Sequence, residues 1–271
     1  MSVATLCGWL GLSRQAYYQH QRRQQQQVKQ AEAIVAQVRA LRQRHPRMGC
    51  RKVLHRLRPW LAQQGYQIGR DRLFALLRVR DLLIRPKRRR PRTTWAGHWR
   101  CENLLAEATV TGPDQAYVSD ITYIETEHGF AYLTLITDAY SRCIVGHAVS
   151  DSLATAGSLL ALEQALGQRP LGLGTFIHHS DRGVQFTDQR YRDRLRQAGG
   201  RSSMGAKGDC YDNALAERIN GTVKLEYGLD GCFRDIDQVR RAVAESVWLY
   251  NHERPHLALN YQTPAQVHTL C

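Results

Sequence analysis

Three acidic residues stand in local frames that suit chemistry at a phosphate. Asp120 lies in the strand-like run Y-V-S-D-I-T-Y-I, Asp181 in H-H-S-D-R-G-V-Q-F-T, and Glu217 in C-Y-D-N-A-L-A-E-R-I-N-G-T-V-K-L-E. From Asp181 to Glu217 is 217 − 181 = 36 positions, so 35 residues lie between them. Phosphodiester transfer needs an activated oxygen nucleophile and a stabilised leaving oxygen. Two Mg²⁺ ions about 4 Å apart supply both, and a few carboxylates hold them. Mn²⁺ is the expected substitute. Taken singly, each acid also has a structural reading: a strand-end cap, a turn, and a surface glutamate paired with Arg218. Asp138 and Asp212 rival the two aspartates, and Glu226 rivals Glu217.

The charge supports a polyanionic substrate. The 271-residue chain has a net charge of +14, unevenly placed. Residues 1–110 hold 23 Lys+Arg against 5 Asp+Glu, giving +18; residues 111–271 hold 15 against 19, giving −4. A basic front half would grip nucleic acid, and an acidic back half would carry the chemistry. Seven scattered cysteines form no C-x-x-C pair and no zinc spacing, which points to reduced thiols in the cytoplasm. No apolar run is long enough to span a membrane.

The elements that must position these residues fall into four segments. Residues 1–23 read as helix, turn, helix, with Ser13 as an N-cap. Residues 28–84 read as a helical DNA-binding module, joined to the first segment by the glutamine run 24–27. Within that module Pro59 is expected to kink or break the helix over 50–64. Arg70 and Arg72 lie in the first turn of its last helix, where a recognition helix presents side chains to DNA. Residues 85–110 form a basic, proline-broken linker. Its Arg88, Arg89 and Arg90 could track a phosphate backbone, and Trp95 and Trp99 could stack on a base or anchor the segment. From residue 111 to 271 the pattern is α/β. Strands are expected over 116–126, 129–137, 143–149 and 175–178, and helices over 155–167, 187–198, 211–226 and 236–250. This makes a mixed sheet flanked by helices.

The helix around Glu217 carries a polar stripe. Asn213, Glu217, Asn220 and Lys224 stand at i, i+4, i+7 and i+11, one helical face. Asn213, Asn220 and Lys224 could thus contact DNA beside the acids, with Lys207 in the flexible loop before them. His178 and His179 are expected to hydrogen-bond at a sheet edge, and N-H-E-R-P-H (251–256) reads as a helix stop.

At these motifs the chain resembles the B-frame transposases of the IS-three family of bacterial insertion sequences, within the DDE transposase and retroviral integrase superfamily. L-G-L-S-R-Q-A-Y-Y resembles the family's opening helix–turn–helix. H-P-R-M-G-C-R-K-V and I-G-R-D-R-L-F-A-L-L resemble its second helical module. D-I-T-Y-I, H-S-D-R-G-V-Q-F, D-N-A-L-A-E and Y-N-H-E-R-P-H-L-A-L-N-Y-Q-T-P-A resemble its catalytic core and tail. The 35-residue gap and Lys224, seven positions after the glutamate, are as the family has them. Departures are Tyr117 where a tryptophan is usual, the loop G-A-K-G-D-C-Y, and R-I-N-G after the glutamate.

The resemblance implies a ribonuclease-H-like core with Asp120, Asp181 and Glu217 as metal ligands. It implies strand cleavage at element ends by water, followed by joining of the freed 3′-hydroxyl to target DNA. Expected partners are double-stranded DNA (terminal inverted repeats and target), further copies of the chain, and an upstream-frame DNA-binding product. The expected setting is the bacterial nucleoid. A hydrolysis-only nuclease of the same fold and a non-catalytic DNA-binding regulator remain as alternatives.

Overall fold

The computed structural model describes residues 2–84, 99, 101–205 and 213–269. The chain forms two compact units, residues 1–44 with 48–85 and residues 45–47 with 86–271. Among the described residues, no helix is long and apolar enough to cross a membrane.

The first unit is helical: α1 (Val3–Trp9), α2 (Arg14–Arg44), α3 (Cys50–Gln63) and α4 (Arg70–Val79). Ser13 caps α2 as expected, accepting from the Ala16 N–H at 3.1 Å. Two expectations are corrected here. The glutamine run is no linker, because α2 passes through it unbroken. Gln and Arg are good helix formers, and nothing between residues 14 and 44 is a Gly or Pro to interrupt them. The break allowed at Pro59 is not found either, since α3 runs through it. Leu57 and Leu61 around it are buried with Ile34, Val38, Val53, Leu73 and Leu77. That packing offsets the backbone bond proline removes.

The second unit opens with the short helix α5 (Leu104–Glu107). It continues as β1 (Ala116–Thr126), β2 (Gly129–Asp138), β3 (Ile144–Ser150), α6 (Thr155–Gln168), β4 (Phe176–Ser180), α7 (Val184–Thr187), α8 (Gln189–Gln197) and β5 (Gly200–Met204). Then come α9 (Ala214–Glu226), β6 (Cys232–Phe233), α10 (Ile236–His252), a 3₁₀ turn (Leu257–Leu259) and α11 (Pro264–Thr269). The sheet order is β3-β2-β1-β4-β5, with β6 beside the end of β1. β1, β2 and β3 pair antiparallel, whereas β4 and β5 run parallel to β1. Helices cover both faces, which is the ribonuclease-H-like arrangement the resemblance implied.

Alternation along β1 sends its side chains to opposite faces. Tyr117 and Ile121 join the core containing residues of α6 and α8. Ala116 and Val118 meet Ala216 of α9, and Ile124 joins the core with α9 and α10. Asp120 therefore shares the face turned to α9. At Gly146 of β3 the sheet and α6 come very close: a Cβ there would lie 2.2 Å from the Ala161 carbonyl oxygen.

β5 was missed in the sequence because G-R-S-S-M lacks β-branched and aromatic residues. The helix expected over 187–198 starts instead at Gln189, after Asp188, whose carboxylate accepts from the Arg190 N–H at 2.8 Å.

Candidate active site

Parallel pairing places the two aspartates side by side. Ser119 of β1 is in register with Ser180 of β4. Asp120 is the next residue of β1 and Asp181 is the first residue after β4, and neighbouring strands lie about 4.8 Å apart. Past β4 the chain turns at once. Asp181 Oδ1 accepts from the Gly183 N–H at 3.0 Å, and a Cβ on Gly183 would stand only 3.0 Å from that oxygen. The Arg182 Nε donates to the Gly205 carbonyl at 3.0 Å.

Glu217 arrives from α9, in the helix's first turn. Side chains four positions before it and three after it bind α9 to β1. The Asn213 amide donates to the Ser119 carbonyl at 3.2 Å, and the Asn220 amide donates to Asp120 Oδ2 at 2.8 Å. Lys224 donates to the Tyr123 carbonyl, with Thr122 Oγ1 at 3.5 Å. The stripe seen in the sequence thus faces β1, with Glu217 within it.

Burial is the main cause pushing the Asp120 carboxyl up to about 7. The bond from Asn220 opposes it, the Asp181 charge adds to it, the Ile121 N–H opposes it, and the Glu217 charge adds again. Asp120 therefore feels both other acids. A dense set of negative charge of this kind attracts cations.

Behind the aspartates sits a neutral histidine. Nε2 of His178 lies 2.8 Å from Ser119 Oγ and 2.9 Å from Tyr191 Oη. Burial, with His179 beside it, pushes this imidazole down to about 3. His179 Nδ1 lies 2.8 Å from Ser203 Oγ. The expected hydrogen-bonding role of the pair holds, but the place is corrected: β4 is an interior strand, since β5 pairs beyond it. Sequence reasoning missed Ser119 and Tyr191, because nothing local marks them as partners of a histidine.

The rival acids are occupied elsewhere. Asp138 is fully buried at the end of β2 and accepts from Ser141 N–H at 2.7 Å, Ser141 Oγ at 2.6 Å and Asp114 N–H at 2.9 Å. It caps its own turn, in register with Tyr117 rather than Asp120. Glu226 pairs with Arg254 at 2.7 Å. Asp212 lies outside the described residues, as do Lys207, Arg88, Arg89, Arg90 and Trp95. The Arg192 guanidinium lies 4.5 Å from the Trp99 ring centroid.

Among the described residues, the one group of His, Cys, Asp and Glu whose ligand atoms all lie within 4.8 Å is Asp114, Asp138 and His268. Asp138 in that group is already filled by hydrogen-bond donors, and burial leaves little room for substrate. Asp120, Asp181 and Glu217 form a wider, partly exposed set.

In the helical unit, Arg70 donates to Asp71 at 2.8 Å and both side chains are exposed. Arg70 and Arg72 line a groove of about 960 Å³ with Arg58 and Tyr66.

A family described as "Integrase core domain" matches residues 110–210, and a second family of the same description matches residues 198–264. A Mycobacterium tuberculosis protein named as a transposase for insertion sequence element IS986/IS6110 is 46% identical over 147 residues. That match covers 52% of this chain and 53% of the relative, so the chain spans about half of that protein's length. The Shigella sonnei "Insertion element IS600 uncharacterized 31 kDa protein" is 36% identical over 269 residues, 96% of each chain. The Shigella sonnei "Transposase for insertion sequence element IS629" is 35% identical over 225 residues, 82% of this chain and 74% of its own.

Proposed function

The chain belongs to the IS-three family of DDE transposases, and we propose on that premise that it cuts insertion-sequence ends and joins them to target DNA. The observation that carries this reading is the convergence of Asp120, Asp181 and Glu217 from β1, the end of β4 and α9. The chemistry is two successive displacements at phosphorus. Water breaks a strand at the element end and leaves a 3′-hydroxyl. That hydroxyl then attacks a target phosphodiester, forming the new bond as the target strand's own 3′-oxygen departs.

The residues present fit divalent cations. Buried acceptors at Asn213 Oδ1 and Asn220 Oδ1 have no hydrogen-bond partner, and Asn220 adjoins Asp120. A hydrated cation would bring donors for such oxygens. Two Mg²⁺ ions, or Mn²⁺ in their place, would supply positive charge to the attacking and leaving oxygens. Asp120, Asp181 and Glu217 would hold them. Ile121 and Asn220 keep the Asp120 carboxylate fixed from two sides, and the Gly183 N–H keeps Asp181 turned.

Double-stranded DNA is the proposed partner, both element ends and target. The basic front half and the arginine-lined groove at Arg70 and Arg72 support a grip on its phosphates. Lys207, Arg88, Arg89 and Arg90 belong to the same proposal, as does Lys224 at the edge of the site. We place the protein on the bacterial nucleoid, acting as a multimer on paired ends, with an upstream-frame product as a further partner.

The test uses full-length protein, labelled duplexes carrying the element's ends, and Mg²⁺ or Mn²⁺. Nicking and joining are expected, and Glu217→Gln should abolish both while duplex binding persists. Cleavage without joining of a precut 3′-hydroxyl end would leave the hydrolytic nuclease. Neither step, with or without the upstream-frame product, would sink the enzyme reading and leave the DNA-binding regulator.

A further inference from the structure

We propose that Asn220 is a positioning residue for the Asp120 carboxylate, serving cation binding through that carboxylate rather than contacting DNA; this rests on the metal-dependent reading above. α9 lies along β1. Asn213, Asn220 and Lys224 advance by seven and then four residues, and their partners on β1 advance from Ser119 through Asp120 to Thr122 and Tyr123. Eleven helical residues rise about 16 Å. Four strand residues rise about 13 Å. The spans are of the same order and the long side chains take up the difference, so one helical stripe is tied to one stretch of β1 at three points.

Within that seam Asn220 is the member that touches a ligand-type oxygen. It donates to Asp120 Oδ2 at 2.8 Å, while the Ile121 N–H donates to Oδ1 at 2.9 Å. Each carboxylate oxygen thus has one donor and keeps a lone pair. Held at both oxygens, the carboxylate is fixed in orientation before any cation arrives. Such outer partners commonly change metal affinity 10- to 100-fold when removed.

Two further observations set Asn220 apart from a DNA contact. It is 5% exposed, so its amide is not presented to a duplex. Its Oδ1 is buried and has no hydrogen-bond partner, which suits a donor delivered into the site. The residue type matters as well. An aspartate at 220 would set a further negative charge beside Asp120, whereas the amide offers a neutral donor.

The experiment titrates Mn²⁺ into the full-length chain without DNA and follows free Mn²⁺ by electron paramagnetic resonance. Wild type is compared with Asn220→Leu, Asn220→Ser and Asp120→Asn. Duplex binding is measured separately in EDTA by fluorescence anisotropy. Asn220→Leu should raise the half-saturating Mn²⁺ concentration about tenfold or more, with duplex binding unchanged. Asn220→Ser should show the same direction, and it carries the comparison if the leucine variant loses its circular-dichroism signal. Asp120→Asn should lose the tight Mn²⁺ signal. If Asp120→Asn loses it and both Asn220 variants titrate like wild type, the positioning role is overturned and the metal site stands. If the Mn²⁺ titration is unchanged but duplex binding falls, Asn220 is a DNA contact. If Asp120→Asn binds Mn²⁺ as wild type does, the metal reading and this inference fall together.

Discussion

Arg254 grips Glu226 with both arms of its guanidinium, Nε to Oε2 at 2.7 Å and Nη2 to Oε1 at 2.8 Å. Glu226 sits on the same helix as Glu217, and local sequence does not separate the two. The tertiary partner does. Arg254 is almost wholly buried, so it needs a carboxylate, and Glu226 is committed to it. Glu217, in the first turn of α9 and within electrostatic reach of Asp120, is the acid we propose for chemistry.

The two glutamates should therefore fail differently. Glu226→Gln removes one partner of a buried ion pair and should lower unfolding free energy by about 3 kcal/mol. Glu217→Gln should leave stability nearly unchanged while strand joining disappears. Urea melts beside a joining assay check this. A reversed pattern would make Glu226 the ligand.

Asp120 gives a pH signature in the metal-free protein. Its folded pKa, pushed up to about 7, lies above the unfolded value of 3.8, so the folded state binds the proton more tightly. Stability from this group is full below the unfolded value and is lost as pH rises to about 7. The loss is at most about 4 kcal/mol, at 1.36 kcal/mol per unit. His178, pushed down to about 3, works in the opposite direction below its unfolded value of 6.5. The clean measurement is therefore the difference between wild type and Asp120→Asn. The asparagine variant should gain relative to wild type as pH rises from 4 to 8. A pH-independent difference in thermal midpoints would contradict the shift.

Divalent cations should act through the same charges. Mn²⁺ added to wild type at pH 8 should raise the thermal midpoint, since binding to the folded state stabilises it. At pH 5 the rise should shrink, because protons compete for Asp120. Asp120→Asn should respond weakly at both. An equal rise in wild type and variant would place the cation elsewhere.

Gly146 should tolerate no side chain. A Cβ at that position meets the Ala161 carbonyl at 2.2 Å and Ala165 at 3.1 Å. Gly146→Ala must push α6 off the sheet, at a cost of about 3 kcal/mol in denaturant melts. Gly167→Ala on the same helix's end meets nothing within 4 Å and serves as the control.

Asn251 should prove structural. Its Oδ1 accepts from the Ile144 N–H and its Nδ2 donates to the Ile144 carbonyl, both at 2.9 Å. Asn251→Ala strands two buried backbone groups at the start of β3 and should cost about 3 kcal/mol. Joining activity per folded molecule should stay near wild type at low temperature.

Residue type and spacing by themselves determined much of this protein. The strands over 116–126 and 129–137 and the polar stripe on α9 follow from local periodicity, and motif marks the carboxylates at 120, 181 and 217 as candidates. The stripe's destination did not. Periodicity says that Asn213, Asn220 and Lys224 share a face, but not that the face closes on β1, because Asn220 and Asp120 are 100 residues apart. The same holds for Ser119 with His178, 59 residues apart, and for Glu226 with Arg254. β5 was illegible for a related reason: a polar strand is held by its pairing with β4 and by burial of Ser203 and Met204, not by its own propensity. Which acids are caps and which are ion-paired was decided by tertiary structure alone. A carboxylate's role depends on the donors and charges brought to it, and in this fold those arrive from distant segments.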